Sequence, residues 1–174
     1  MIHRSAIKQQ GASIVPFLVL VAGAALFVLA TSQSLPTIVV SLFDSLGRPN
    51  GMMPRSGYTG IMLVVVAIVP LLLVLMPLQV FRKSNAHLNL PNKEYWLAPE
   101  RRAETIDYLS RQAIRFSSML LAFLCYAHWL VVKANQITPP TLSSRWFIGG
   151  LVVFLVATLV WVVSLMGHFQ RIPR

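Results

Sequence analysis

Few side chains in this 174-residue sequence are equipped for chemistry, and most of them fall in one stretch. Four of the five acids, Glu94, Glu100, Glu104 and Asp107, lie between residues 82 and 115, with His87 nearby. Glu100 and Glu104 stand one helical turn apart, and Glu104 and Asp107 three residues apart, a spacing that would gather carboxylates around a metal ion. Arg101, Arg102 and Arg111 alternate with them, however, and interleaved charge of this kind marks a solvated, ion-paired helix face. The sequence contains no His-Glu-x-x-His, no phosphate-cradling glycine loop and no Gly-x-Ser-x-Gly. Cys125 is the single cysteine, which excludes an internal disulfide and a cysteine metal cluster. His128 sits in an apolar run between Tyr126 and Trp129, where an interfacial aromatic cluster around a hydrogen-bonded histidine accounts for it. His168 closes another apolar run and suits a helix end. No catalytic, cofactor or metal site is expected.

The elements that carry these residues follow from composition. Hydrophobic residues make up 56% of the chain, charged residues 11%, and the mean hydropathy is +0.67. A soluble domain approaches a quarter charged residues, so this chain cannot build a polar shell. A bilayer core of roughly 30 Å takes about 20 apolar residues as a helix. Four stretches qualify: 14–30, 61–81, 116–132 and 146–166. The third is short, and Ala113, Ile114 and a snorkelling Arg115 extend it. Val28 and Ala30 offer a small-residue cleavage pattern, but the first stretch exceeds a signal's apolar length and reads as an uncleaved anchor. The expected fold is an all-α integral membrane protein in one four-span domain, residues 1–174.

Fifteen Lys and Arg against five acids give a net charge of +10. Eleven of the fifteen (Arg4, Lys8, seven between 82 and 115, Arg171 and Arg174) fall on one side of the spans, against Arg48, Arg55, Lys133 and Arg145 on the other. The positive-inside bias places both termini and the 82–115 loop in the cytoplasm. It also explains the basicity without nucleic acid, because the charges are split among loops and interleaved with acids. No charged residue lies inside the four cores, which disfavours a pump or proton-coupled transporter made by this chain alone. Pro70 and Pro77 share nearly one face of the second span and read as a packing bend. Gly149, Gly150, Gly23 and Ala24 permit close helix contact.

Two loops carry the remaining information. The outer loop, 31–60, has β-branched strand character from Thr37 to Asp44 and turn chemistry afterwards, with Pro49-Asn50-Gly51 suited to a tight reversal. Two short strands, or an extended segment with a turn, would pack over the outer helix ends. In the cytoplasmic loop, 82–115, Asn85 to Leu97 reads as irregular with interfacial aromatics. From Pro99 the pattern turns helical, with Ala103, Ile106, Leu109 and Ala113 at helical spacing. An amphipathic helix is expected to start there and run into the third span.

Both loops resemble a bacterial membrane family of unknown function related to the N-terminal part of SdpI-type toxin-immunity proteins. The resemblance covers roughly residues 13–115. It rests on Leu35-Pro36, Phe43-Asp44, Gly47-Arg48-Pro49-Asn50-Gly51 and Arg55, and on the stretch from Asn89 to Arg102. Leu42 stands where that family usually has His, and Met52 where an aromatic often follows the turn. The resemblance implies a multi-pass protein of the bacterial inner membrane. It also implies two contact regions: Asp44, Gly47, Pro49, Asn50, Gly51 and Arg55 outside, and Tyr95, Trp96, Glu100, Arg101 and Arg102 inside.

Two roles remain open. One is a non-enzymatic interaction protein, acting in immunity, sensing or regulation, with the outer loop for a ligand and the basic loop for a partner or membrane lipids. The other is a small accessory subunit of a larger membrane complex, in contact with other membrane proteins or its own copies.

Overall fold

The computed structural model describes the backbone of residues 2–83 and 91–171, and the side chains of 14–75 and 91–171. His87, most of the irregular stretch from Asn85, and the side chains of Arg4, Lys8, Pro77, Arg82, Lys83 and Arg174 lie outside these ranges. The elements in order are α1 (Ile2–Ser32), β1 (Ile38–Phe43), β2 (Pro49–Pro54), α2 (Arg55–Lys83), the single turn α3 (Lys93–Trp96), α4 (Arg102–Asn135) and α5 (Ser144–Gln170). Four of these helices are long and apolar enough to cross a membrane.

Helices α1, α2 and α4 form a three-helix bundle. Phe17, Val21, Ala24 and Val28 recur at three- and four-residue steps and line the inner face of α1. Val66, Pro70 and Val74 do the same on α2, and Leu121 fills the gap from α4. The outward faces stay apolar: Val19 and Leu26 are each 66% exposed. Apolar side chains both inside and outside are what a helix needs when its surroundings are hydrocarbon, where packing rather than water exclusion pairs helices. α2 remains helical through both prolines.

Helix α5 leans mainly on α4 through stacked rings. Phe154 stacks on Phe123 (4.8 Å), Trp161 on Phe116 (4.9 Å) and His168 on Tyr108 (3.9 Å). The α5 members are seven residues apart, so two antiparallel helices meet ring to ring about every two turns. Trp161 Nε1 donates to Gln112 Oε1 at 3.0 Å, which gives the buried Gln112 amide oxygen a partner. Near the hairpin end the Tyr126 ring covers Gly150, where a Cβ would collide with it, and its hydroxyl donates to Trp146 O. Gly150 is therefore a close-contact glycine; Gly23 and Gly149 have open space where a Cβ would stand.

The outer loop is an antiparallel hairpin with a bulge near Leu42. Its reversal is not at Pro49-Asn50-Gly51, which the sequence marked as the turn. Those residues lie in β2, and the chain turns over Asp44–Arg48 instead. Asp44 builds that turn: its Oδ1 accepts from Leu46 N (2.9 Å) and Arg48 N (2.8 Å), an aspartate mimicking a backbone turn. Gly47, at φ 77°, supplies the left-handed residue that the turn requires. Short-range aspartate chemistry thus outcompetes the Pro-Asn-Gly signal five residues on.

Two other boundaries differ from the sequence reading. α2 begins at Arg55 rather than near residue 61, because the intervening Ser, Gly and Thr are not apolar but are still helix-compatible. α4 begins at Arg102, not Pro99: Ala98 O accepts from both Arg101 N and Arg102 N, so residues 98–101 close a turn before the helix starts. From Arg102 it then runs unbroken for 34 residues, about 51 Å, joining the amphipathic segment to the third span as expected.

Gly47→Ala should be costly on two counts, left-handed backbone and collision of the new Cβ with Leu142 O. We expect a loss of more than about 1 kcal/mol in detergent-solubilised protein, read as a lowered thermal midpoint.

Candidate functional site

A buried polar node ties the three bundle helices together at the hairpin end. His128, 1% exposed, lies one heptad beyond Leu121 on the inner face of α4. Its Nε2 is 2.8 Å from Thr31 Oγ1 on α1, and its Nδ1 is 3.0 Å from the Tyr58 hydroxyl on α2. Thr31 Oγ1 donates to Phe27 O at 2.6 Å. With that proton committed, Nε2–H donates to Thr31 and Nδ1 accepts from Tyr58, a tautomer assigned from the network. One directional chain of hydrogen bonds therefore crosses all three bundle helices. Tyr58 also stacks on the imidazole (5.6 Å, 19°), and Phe27 meets it edge-on. Both ring nitrogens are occupied, so His128 is a register pin and not an open ligand. Tyr126 and Trp129, its sequence neighbours, stack on each other at 6.3 Å instead.

Asn135 seats the first strand. Its Oδ1 accepts from Val40 N and its Nδ2 donates to Val40 O, both at 2.9 Å, so one amide replaces a missing neighbouring strand. The hairpin tip is tied to the α4–α5 connection by Leu142 N donating to Gly47 O (2.9 Å) and Ser144 Oγ donating to Ser45 O (3.2 Å). Arg55 holds the other flank, its Nη1 donating to Gln33 O and Leu35 O. Asp44 and Gly47 are thus committed to building the cap and Arg55 gives it one guanidinium nitrogen, whereas Pro49 and Asn50 are exposed and Gly51 packs against Leu42. The cap presents apolar side chains: Leu42 is 59% exposed, Leu46 68% and Met52 64%.

At the opposite end, about the length of α4 away, a second cluster closes α5. Asn92, left-handed at φ 52°, leads into α3. Trp96 Nε1 donates to Phe169 O at 2.9 Å, and Asn92 Nδ2 donates to the same carbonyl at 3.1 Å. These are carbonyls of the last turn of α5, which the helix itself cannot satisfy. Thr105 Oγ1 donates to Trp96 O at 2.7 Å and fixes the turn on α4. Trp96 is therefore a wedge between helix ends rather than a free interfacial aromatic. Arg101 lies over the Tyr95 ring at 3.7 Å, a cation–π contact. Arg102 is partly buried at the first residue of α4. Glu100 is exposed in the turn before α4, so it does not share a helical face with Glu104. Asp107 pairs with Arg111 on a half-exposed face, which contributes little to stability.

The two sequence-derived residue sets therefore do not converge; they sit at opposite ends of the bundle. Among the described residues no group of three His, Cys, Asp or Glu could hold a metal ion. Comparisons with protein-family models, with curated proteins and with solved structures gave no match.

Sequence reasoning missed the partners: Thr31 and Tyr58 for His128, Asn135 for the strand, and Asn92 for α5. The seven-residue spacing of Leu121, His128 and Asn135 was a usable signal that the three share a face.

Tyr58→Phe keeps the ring and strips the donor from buried Nδ1, so it should cost about 1–3 kcal/mol, seen as a lower thermal midpoint in detergent. Asn135→Leu should accelerate hydrogen exchange at the Val40 amide while leaving exchange in α1 and α2 nearly unchanged.

Proposed function

We propose that this chain is a non-enzymatic membrane interaction protein whose hairpin cap contacts a ligand or partner protein. The supporting observation is the cap itself. Leu42, Leu46 and Met52 stand out from a hairpin anchored on α2, α4 and the α4–α5 connection, beyond the ends of the apolar spans. Exposed apolar side chains on a rigid mount give binding area at little ordering cost. Leu42 and Met52 are also the two positions where the sequence departs from the SdpI-type pattern, so a family-like cap with altered specificity fits an immunity, sensing or regulatory role. On this reading the Tyr95, Arg101 and Arg102 end meets a partner or anionic lipid on the cytoplasmic side of a bacterial inner membrane, with both termini on that side.

A second reading, an accessory subunit of a larger membrane complex, is favoured by α5. No residue in its most apolar window is buried. The groove between α4 and α5, about 620 Å³, is lined by Ala122, Gly149, Val153 and Ala157 together with Met119, Phe123, Trp146 and Phe154, an apolar surface that another helix could pack against.

Purification of the tagged chain from native membranes in mild detergent separates the two. A cap-mediated partner should be lost from Leu42→Asp and Leu46→Asp variants that still insert, and kept when Val153 and Ala157 are enlarged. Loss in the α5 variants with retention in the cap variants would replace the first reading by the second.

A further inference from the structure

Beside the cap, between the hairpin ends of α1 and α2, lies a crevice of about 750 Å³ that neither reading uses. Its upper wall is polar, with Ser32, Gln33, Arg55, Ser56 and Thr59, and its lower lips are Leu29 and Leu63. Two features of it point to a ligand. Arg55 spends only Nη1 on the protein, leaving Nε and Nη2 with no acceptor among the described residues. Gly60, on the crevice wall, has nothing within 4 Å of where a Cβ would stand, so the backbone of α2 is open to close approach.

The charge balance sets the ligand's sign. The first turn of α2 carries no acid, and its amides beyond Arg55 N, which donates to Thr37 O, add partial positive charge next to Arg55. Asp44, the one acid on this side of the spans, is consumed by the hairpin turn. Planar, bidentate guanidinium donors with flanking hydroxyls suit phosphate oxygens. The apolar lips continue onto lipid-facing surface: Leu29 is 44% exposed and Ile61, one residue past Gly60, 54% exposed. A free anion would leave those lips uncovered, whereas a phosphate carrying acyl chains covers both halves.

We propose that this crevice binds the headgroup of an anionic phospholipid from the leaflet at the hairpin end, with Arg55, Ser56 and Thr59 on the phosphate and the chains descending past Leu29 and Leu63. The site is independent of the hairpin's partner, and it would give the cap a fixed depth in the membrane.

The test is native mass spectrometry of the full chain released from nanodiscs containing equal phosphatidylglycerol and phosphatidylcholine. One phosphatidylglycerol should be retained in about tenfold or greater preference, the scale of a charge-assisted bidentate contact. Gly60→Phe fills the crevice without touching the carbonyl contacts of Arg55, and it should abolish that preference at an unchanged thermal midpoint. Arg55→Lys, with a point charge in place of the fork, should weaken it. Equal retention of the two lipids, or a preference that survives Gly60→Phe, overturns the proposal. Displacement of phosphatidylglycerol by inorganic phosphate assigns the site to a free anion and overturns it as well.

Discussion

A bundle with apolar side chains on every face has no hydrophobic gradient to set which helix faces meet. In this chain, the few polar groups that must be satisfied inside it perform that role. His128 is the central one. Its two nitrogens can both be served only when Thr31 of α1 and Tyr58 of α2 stand at the same level on either side of α4. An unpaired imidazole nitrogen in this setting costs far more than a missed dispersion contact. The hydrogen-bond chain therefore selects one rotation and one axial register for three helices at once. Valine and leucine packing alone would leave several near-equivalent solutions.

The same logic repeats at each junction outside the bundle. A side-chain amide stands in for a strand at Val40, an indole and an amide stand in for water at the last carbonyls of α5, and an aspartate folds the hairpin tip. Each device satisfies backbone groups where regular structure stops. The result is a chain fastened at both ends of its helices, with the aromatic stacks between α4 and α5 spanning the middle. What remains exposed at the hairpin end, apolar tip residues and a half-polar crevice, is therefore presented on a fixed mount.

This arrangement also gives four of the residues singled out by the resemblance a building role. Asp44 and Gly47 make the turn, Arg55 ties α2 to the end of α1, and Trp96 closes α5. Residues that shape a cap and residues that touch a partner carry the same sequence signature, a polar or glycine-rich motif between apolar runs. Only exposure and spent hydrogen-bond capacity tell them apart: Leu42, Leu46 and Met52 are outward and uncommitted, and Arg55 is half committed.

Local chemistry made much of this architecture readable in advance. Four apolar stretches of spanning length, the continuity with the third span of the helix that starts late in the 82–115 loop, and the strand character of residues 37–44 all follow from composition and short-range periodicity. So does a helix-end place for His168. Long-range pairing decided the rest. Asp44 turns the chain locally, but that the finished turn would hand Gly47 O to Leu142 N, from a connection some 95 residues away, is a tertiary matter. His128 looked like a member of its own Tyr126–Trp129 neighbourhood, because sequence shows neighbours along a helix and not across it. Thr31, Tyr58, Asn92 and Asn135 are ordinary polar residues in sequence. They acquire their roles only when the tertiary structure brings a buried donor or acceptor within 3 Å or so of each, and no local signal records such a meeting.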